Sequence, residues 1–164
     1  LRQSIVRIMD RLLPAHLIIL SSAPQIRYPD CYGIDMARLD DFIAFRAAIE
    51  LLRDNGLEEI IDQVYRKCKA QQGHDDTEMV NYVKEIYAPF TDTQISDKIA
   101  ELITAPDIHA RVSVIYQTVE GLHKACPNHL GDWYFTGDYP TAGGNRVVNQ
   151  AFINFMEGRK ERAY

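Results

Sequence analysis

The sequence predicts an α/β fold with one clear buried strand, followed by a mostly helical C-terminal region. The strand is predicted by the apolar run Leu17–Leu20, which is short and rich in branched residues, as are parallel strands that helices cover on both faces. An amphipathic helical stripe precedes the strand between residues 1 and 13. Beyond residue 40, apolar residues recur mainly at helical spacing, which favours helices over further strands.

The loop after this strand is the predicted functional region. Pro14 ends the first helix, the strand follows from His16 to Ser21, and the small residues and proline of Ser22-Ala23-Pro24 end it. In open α/β sheets ligands bind outside the carboxyl ends of the strands, so a site is expected between Ser21 and Asp35. A single strand leaves both edges unpaired, so its neighbour must come from later in the chain, from an upstream segment or from another subunit.

The remaining chain is predicted to form helices joined by short polar loops. Helices are expected from about residue 42 to 54, 57 to 70 and 78 to 87, then after a capping box at Thr91-Asp92-Thr93-Gln94, and finally after Asn145, which is expected to cap the last helix. Arg111–Tyr116 fits a second strand, but its apolar pattern is equally compatible with one long helix that reaches Cys126. We favour the helix.

Composition excludes several classes of function. The formal net charge of −5 and a pI near 5.5 argue against a nucleic-acid or anionic-membrane surface. No apolar run approaches the ~20 residues that a membrane span needs, and three cysteines, an odd and sparse count, favour a reducing, cytoplasmic compartment. The chain starts at Leu1, already inside an amphipathic segment, so it is expected to be a piece of a longer polypeptide.

Candidate chemical motifs have ordinary structural explanations. Cys126 and His129 have the spacing of half a zinc site, but no second pair completes it. The acidic pairs Asp40-Asp41 and Asp75-Asp76 are typical of helix starts and solvated loops. The glycines before the last helix lack the Lys and Ser/Thr of a Walker motif, and Ser22 lacks the glycines of a nucleophile elbow. No catalytic residue and no metal ligand is therefore assigned.

Two stretches of the chain resemble a known enzyme family. Residues 21–36, SSAPQIRYPDCYGIDM, resemble the Ser-Ala/Ser-Ala-Pro…Tyr-Gly-Ile-Asp-Met segment of glutamine phosphoribosylpyrophosphate amidotransferases, or amidophosphoribosyltransferases. Residues 135–140, FTGDYP, resemble the family's C-terminal Phe-x-Gly-x-Tyr segment. The helix at residues 1–5 is similar to the one that follows the family's phosphoribosyl pyrophosphate (PRPP) loop, but Ile8-Met9 stand where the Gly-Thr-Thr of that loop would be required.

The resemblance implies a C-terminal part of a type I phosphoribosyltransferase, or Rossmann-like, domain. Residues 1–46 would form the C-terminal flank of that domain, and residues 47–164 a helical extension packed on it, or both parts would form one continuous domain. The parent enzyme makes 5-phosphoribosylamine from PRPP and glutamine in the first committed step of purine biosynthesis. Its PRPP loop and glutaminase cysteine would lie upstream, so the segment alone is expected to be inactive. The alternatives are a non-catalytic helical assembly module and a regulatory module that binds purine nucleotides.

The resemblance also implies cofactors, partners and a site. The parent enzyme uses Mg²⁺, with ligands outside this segment. Some relatives hold an iron–sulfur cluster, but Asp30, Gly131 and Tyr134 stand at three of the cysteine positions, so no cluster is expected. The expected partners are the rest of the parent chain, PRPP, glutamine, purine nucleotides and further copies of the protein. The vicinity of substrate or regulatory nucleotide is expected to include four residues: Ser22, Tyr32, Asp35 and Ala37.

Overall fold

The computed structural model describes residues 5–30, 36–75, 78–128 and 131–163. Within them lie eight α-helices and two strands. In chain order these are α1 (Ile5–Asp10), β1 (His16–Ser21), α2 (Ile43–Asp54), α3 (Glu59–Ala70), α4 (Lys84–Tyr87), α5 (Asp92–Ile103), β2 (Arg111–Tyr116), α6 (Val119–Ala125), α7 (Trp133–Thr136) and α8 (Ala142–Met156). A short 3₁₀ turn, Leu39–Asp41, precedes α2. None of the helices in the described ranges is long and apolar enough to cross a membrane.

The two strands form a parallel sheet. Strand β1 pairs with β2 in a continuous register that runs from His16 opposite Arg111 to Ser21 opposite Tyr116. The prediction of one long helix through residues 111–116 is therefore wrong. The apolar pattern there fits either a helix or a strand. The strand is favoured because the backbone N–H and C=O groups along the edge of β1 need hydrogen-bond partners. Of the three sources considered for that partner, the later part of the chain supplies it.

Only one face of the sheet is buried, which corrects the prediction of a strand covered on both faces. On the inner face, Ile19 and Val114 pack against the core and α5 lies over β2. On the outer face, Ile18 is 55% exposed, Leu20 72% and Ile115 53%. The run Leu17–Leu20 is continuously apolar, so the sequence alone does not distinguish one covered face from two.

The core lies among the helices and continues onto the inner face of the sheet. Helix α2 packs on α5, and α3 packs on α8. At the centre, Phe45 of α2 meets Phe152 and Phe155 of α8 in edge-to-face contacts with ring centroids 6.1 and 4.9 Å apart. The boundary between the two predicted parts of the chain falls after residue 46. Leu39 and Phe45, which precede it, share one core with α8, which follows it. The sheet and the helices therefore depend on one another for burial.

Local signals predicted some helix ends correctly and others wrongly. The capping box is confirmed: Thr91 Oγ1 accepts from the N–H of Gln94, and the Gln94 side chain accepts from the N–H of Thr91. The helix predicted over 78–87 is confined to α4. The last helix begins at Ala142, with Thr141 at the cap position, so Asn145 does not cap it. Instead Asn145 Nδ2 donates to the Met79 carbonyl at 2.8 Å, a tertiary contact that no local pattern indicates.

Candidate functional site

The candidate site is built around the loop that follows β1. Ser21 ends the strand, and its hydroxyl donates to the Ala23 carbonyl at 2.8 Å while accepting from the Ala23 N–H at 3.3 Å. This local turn redirects the chain away from the sheet. Ser22 is exposed at the bend, whereas Pro24 and Gln25 are buried directly after it. The loop therefore enters the body of the protein at once.

Gln25 fixes the loop to the start of α5. Its side chain is 4% exposed, and its Nε2 donates to the Asp92 carbonyl and to Ser96 Oγ, each at 2.8 Å. Its Oε1 accepts from the Arg27 guanidinium at 2.7 Å, and the same guanidinium donates to Asp92 Oδ1 at 2.5 Å. Both ends of the buried amide are satisfied, so this part of the loop is rigidly placed.

A second set of contacts fixes the loop to the segment around α7. The backbone N–H groups of Arg27 and Tyr28 both donate to the Tyr134 carbonyl, at 2.8 and 3.1 Å. Tyr28 is 3% exposed and packs edge-on against Tyr87 with centroids 5.4 Å apart. Burial raises the pKa of the Tyr28 hydroxyl well above its ordinary value, so the ring is neutral. The Tyr87 hydroxyl donates to the Arg27 carbonyl at 2.7 Å.

Gly137 completes this junction because only a glycine fits there. It adopts a left-handed conformation with φ of 72°, and a Cβ would lie 2.7 Å from Asn81 Nδ2 and 2.9 Å from Tyr28 Cζ. Asn81 Nδ2 donates to the Gly137 carbonyl at 3.1 Å. Two residues further on, the Tyr139 hydroxyl donates to the Pro29 carbonyl at 2.7 Å. Residues 24–30 and 133–139 thus form one docked unit, which we call the loop junction.

The structure places the four predicted site residues unequally. Ser22 is exposed at the carboxyl end of β1, and Ala37 is 8% exposed and so serves packing rather than offering a surface. Tyr32 and Asp35 lie outside the described residues. The flanks of that span are close, since the Asp30 N–H donates to the Met36 carbonyl at 3.3 Å. Asp30 Oδ1 and Trp133 Nε1, at the edge of the loop junction, are buried without a hydrogen-bond partner among the described residues.

The carboxyl end of β2 lines a groove of about 310 Å³. Gln25, Asp92, Ser96 and Asp97 line one side, and the end of β2 lines the other. The Ser96 hydroxyl is already engaged, since it donates to the Asp92 carbonyl and accepts from Gln25. The Ser96 hydroxyl therefore helps to hold the loop in place.

The other candidate motifs are structural where the structure describes them. Arg38 pairs with Asp40 at 2.5 Å and with Asp41 at 3.7 Å, so this acidic pair is neutralised locally. Among the described residues, no group of three or more His, Cys, Asp or Glu side chains is placed to hold a metal ion. Cys126 is a free, exposed thiol, and His129, its expected companion, lies outside the described residues.

Sequence reasoning missed the residues that organise the site. Gln25, Asn81 and Gly137 act through contacts between distant parts of the chain, and neither composition nor periodicity indicates them. A signal was present only in the two stretches singled out by their resemblance, which contain Gln25 and Gly137. The described part of the chain forms a mixed α/β domain with a two-stranded parallel sheet. Comparison of the chain with protein-family models, with curated proteins and with solved structures finds no match.

Proposed function

We propose that this chain is the C-terminal segment of an amidophosphoribosyltransferase, the enzyme that makes 5-phosphoribosylamine from PRPP and glutamine. The observation that carries the proposal is the loop junction. The resemblance rests on residues 21–36 and 135–140, and these stretches contact each other although residues such as Pro29 and Tyr139 are 110 positions apart. This contact between two stretches far apart in the sequence supports the view that they belong to one inherited arrangement.

The open sheet supports the same proposal. A pair of parallel strands with an exposed apolar face is incomplete, because parallel sheets are normally covered on both sides. Ile18, Leu20 and Ile115 make that face apolar, and further strands and helices of a transferase domain would cover it. Strand β1 also ends in Ser21-Ser22 without a carboxylate, as expected for a strand next to the one that leads to the PRPP loop.

In this proposal the segment has a supporting role. The PRPP loop, the glutaminase cysteine and the ligands of Mg²⁺ lie in the rest of the parent chain, and Mg²⁺ supplies charge stabilisation for the departing pyrophosphate. The described residues would supply the strand next to the one that leads to the PRPP loop, and they would place the loop after β1. Purine nucleotides would bind near Ser22, Tyr32, Asp35 and Ala37, in a cytoplasmic homo-oligomer. Asp30 and Tyr134, which replace cluster cysteines, lie in the two halves of the loop junction.

One observation favours a second candidate, a non-catalytic assembly module. The exposed apolar residues of α1, Ile5 and Ile8, add to the open sheet face and would suit contact with another copy. In that case the chain would self-associate and have no link to PRPP. The first candidate predicts that the longer polypeptide turns over PRPP, and the second predicts that it does not.

The test is glutamine- and Mg²⁺-dependent release of pyrophosphate from PRPP by the complete polypeptide that contains these residues. We expect turnover by the complete polypeptide and none by the 164-residue chain. Gly137→Val, which disrupts the loop junction, should lower turnover by the complete polypeptide, whereas Gly56→Val, at an open position, should leave most of it. A folded complete polypeptide without activity, or turnover by the 164-residue chain alone, would refute the proposal.

A further inference from the structure

A second groove, of about 470 Å³, lies on the helix-covered side of the sheet. It is bounded by α2, α5 and the inner face of β1 and β2, and reaches the last residue of each strand. Its lining is mainly apolar and includes Ile19, Ile43, Ile99, Leu102 and Val114. Its volume falls within the range of about 300–1,000 Å³ that is usual for small-molecule sites.

Arg46, an exposed residue of α2, supplies the groove with a positive charge. Its guanidinium forms no hydrogen bond or ion pair within the described ranges, although it lines both this groove and the neighbouring one. The other arginines nearby are engaged: Arg38 pairs with Asp40 at 2.5 Å, and Arg53 pairs with Glu50 at 2.7 Å. Arg46 is therefore the cation in this region that remains open to an anion.

Tyr116 adds a hydrogen-bond donor to the same groove. It is the last residue of β2, and its hydroxyl has no hydrogen-bond partner in the part of the chain that the structure describes. Burial raises the pKa of this hydroxyl, so it keeps its proton at neutral pH. An apolar wall with one cation and one neutral donor matches a ligand that has an apolar body and one anionic end.

We propose that this groove binds a small amphipathic monoanion, with its hydrocarbon part against the inner sheet face and α5 and its carboxylate at Arg46. Charge complementarity selects this occupant, since a neutral hydrocarbon would leave Arg46 unused and a polyanion would meet apolar walls. The outer sheet face differs because its residues Ile18 and Leu20 are exposed and do not line this groove. The proposal does not depend on the proposed enzymatic function.

The test uses decanoate, below its micelle concentration, and uncharged decanol as the matched probe, each titrated calorimetrically into the 164-residue chain. We expect saturable binding of one decanoate. Arg46→Gln should weaken decanoate binding about tenfold or more, as the loss of a charge-assisted contact does, and should leave decanol binding unchanged. Arg53→Gln, which removes an equal charge outside the groove wall, is the control and should bind decanoate normally.

A second variant locates the apolar part of the site. Leu102→Trp should fill the groove and abolish binding of both probes, whereas Leu20→Ser on the outer face should not change it. Circular dichroism checks that each variant folds. If Leu102→Trp does not fold, the comparison of Arg46→Gln with Arg53→Gln still tests the proposal. Absence of saturable binding, equal binding by the two arginine variants, or loss of binding in Leu20→Ser would each overturn the proposal. A change of oligomeric state in Arg46→Gln without decanoate binding would instead identify a protein interface and also overturn it.

Discussion

Tyr28 and Gly137 contact each other so closely that no side chain fits at position 137. A Cβ there would lie 2.9 Å from Tyr28 Cζ and 2.7 Å from Asn81 Nδ2, and the backbone φ of 72° is one that L side chains rarely adopt. This contact closes the loop junction and joins the chain after β1 to the chain after α7.

Gly137→Ala should therefore be strongly destabilising. We expect a loss of about 3 kcal/mol in the free energy of unfolding, from the left-handed backbone together with the steric overlap. Gly56→Ala is the matched control, because Gly56 has a φ of 66° but nothing within 4 Å of its Cβ position. The control should lose only about 1 kcal/mol. Urea unfolding measures both, and equal losses would show that the contact with Tyr28 contributes nothing.

Gln25→Ala should loosen the loop without unfolding the helices. The substitution removes the donor to Asp92 O and Ser96 Oγ and the acceptor for Arg27, which should cost about 2 kcal/mol. Hydrogen exchange of the Arg27 and Tyr28 amides, which donate to Tyr134, should become faster. Gln63→Ala, which loses only a hydrogen bond to Glu59 one turn away on α3, should leave these amides protected.

Asp10 should make the stability of the protein depend on acid pH. Its carboxylate accepts from the backbone N–H groups of Ala110 at 2.9 Å and His109 at 3.1 Å, and from the His109 ring at 3.2 Å. These bonds, that of Ala110 first, lower the pKa of Asp10 below its ordinary 3.8. Since the folded-state pKa is depressed, the stabilisation is complete above the unfolded-state pKa and is lost as the pH falls through the folded-state value.

Comparison of the wild type with Asp10→Asn measures this contribution. The difference in urea midpoint should be largest at neutral pH and should shrink below about pH 4. His109→Ala keeps both backbone donors and should retain most of the wild-type pH dependence. A constant difference between the wild type and Asp10→Asn from pH 7 to pH 3 would contradict the assignment.

Polar substitution of two neighbouring residues of β1 should change the stability of the 164-residue chain by different amounts. Ile19→Ser on the inner face should cost about 2 kcal/mol, because Ile19 packs against the core. Ile18→Ser on the outer face, where Ile18 is 55% exposed, should change the stability by less than about 0.5 kcal/mol. Thermal unfolding at several protein concentrations measures both. A large, concentration-dependent loss in Ile18→Ser would show that another copy covers the outer face.

The sequence by itself determined the elements whose signals are local. The bounds of β1, the positions of α2 and α3 and the capping box of α5 follow from apolar period, turn residues and a three-residue hydrogen-bond pattern, all of which act within one element. The two stretches that carry the resemblance likewise lie in the two halves of the loop junction.

Only the tertiary structure decided the features that depend on distant partners. Arg111–Tyr116 has a pattern suited to helix or strand, and it is a strand because the edge of β1 needs hydrogen bonds. Contacts between distant parts of the chain also decide four other features: the one-sided burial of the sheet, the hydrogen bond of Asn145 to Met79, the docking of Gln25 on α5 and the open groove at Arg46. Each depends on which surfaces meet when the chain folds, and the residues next to a position in the sequence do not specify those tertiary contacts.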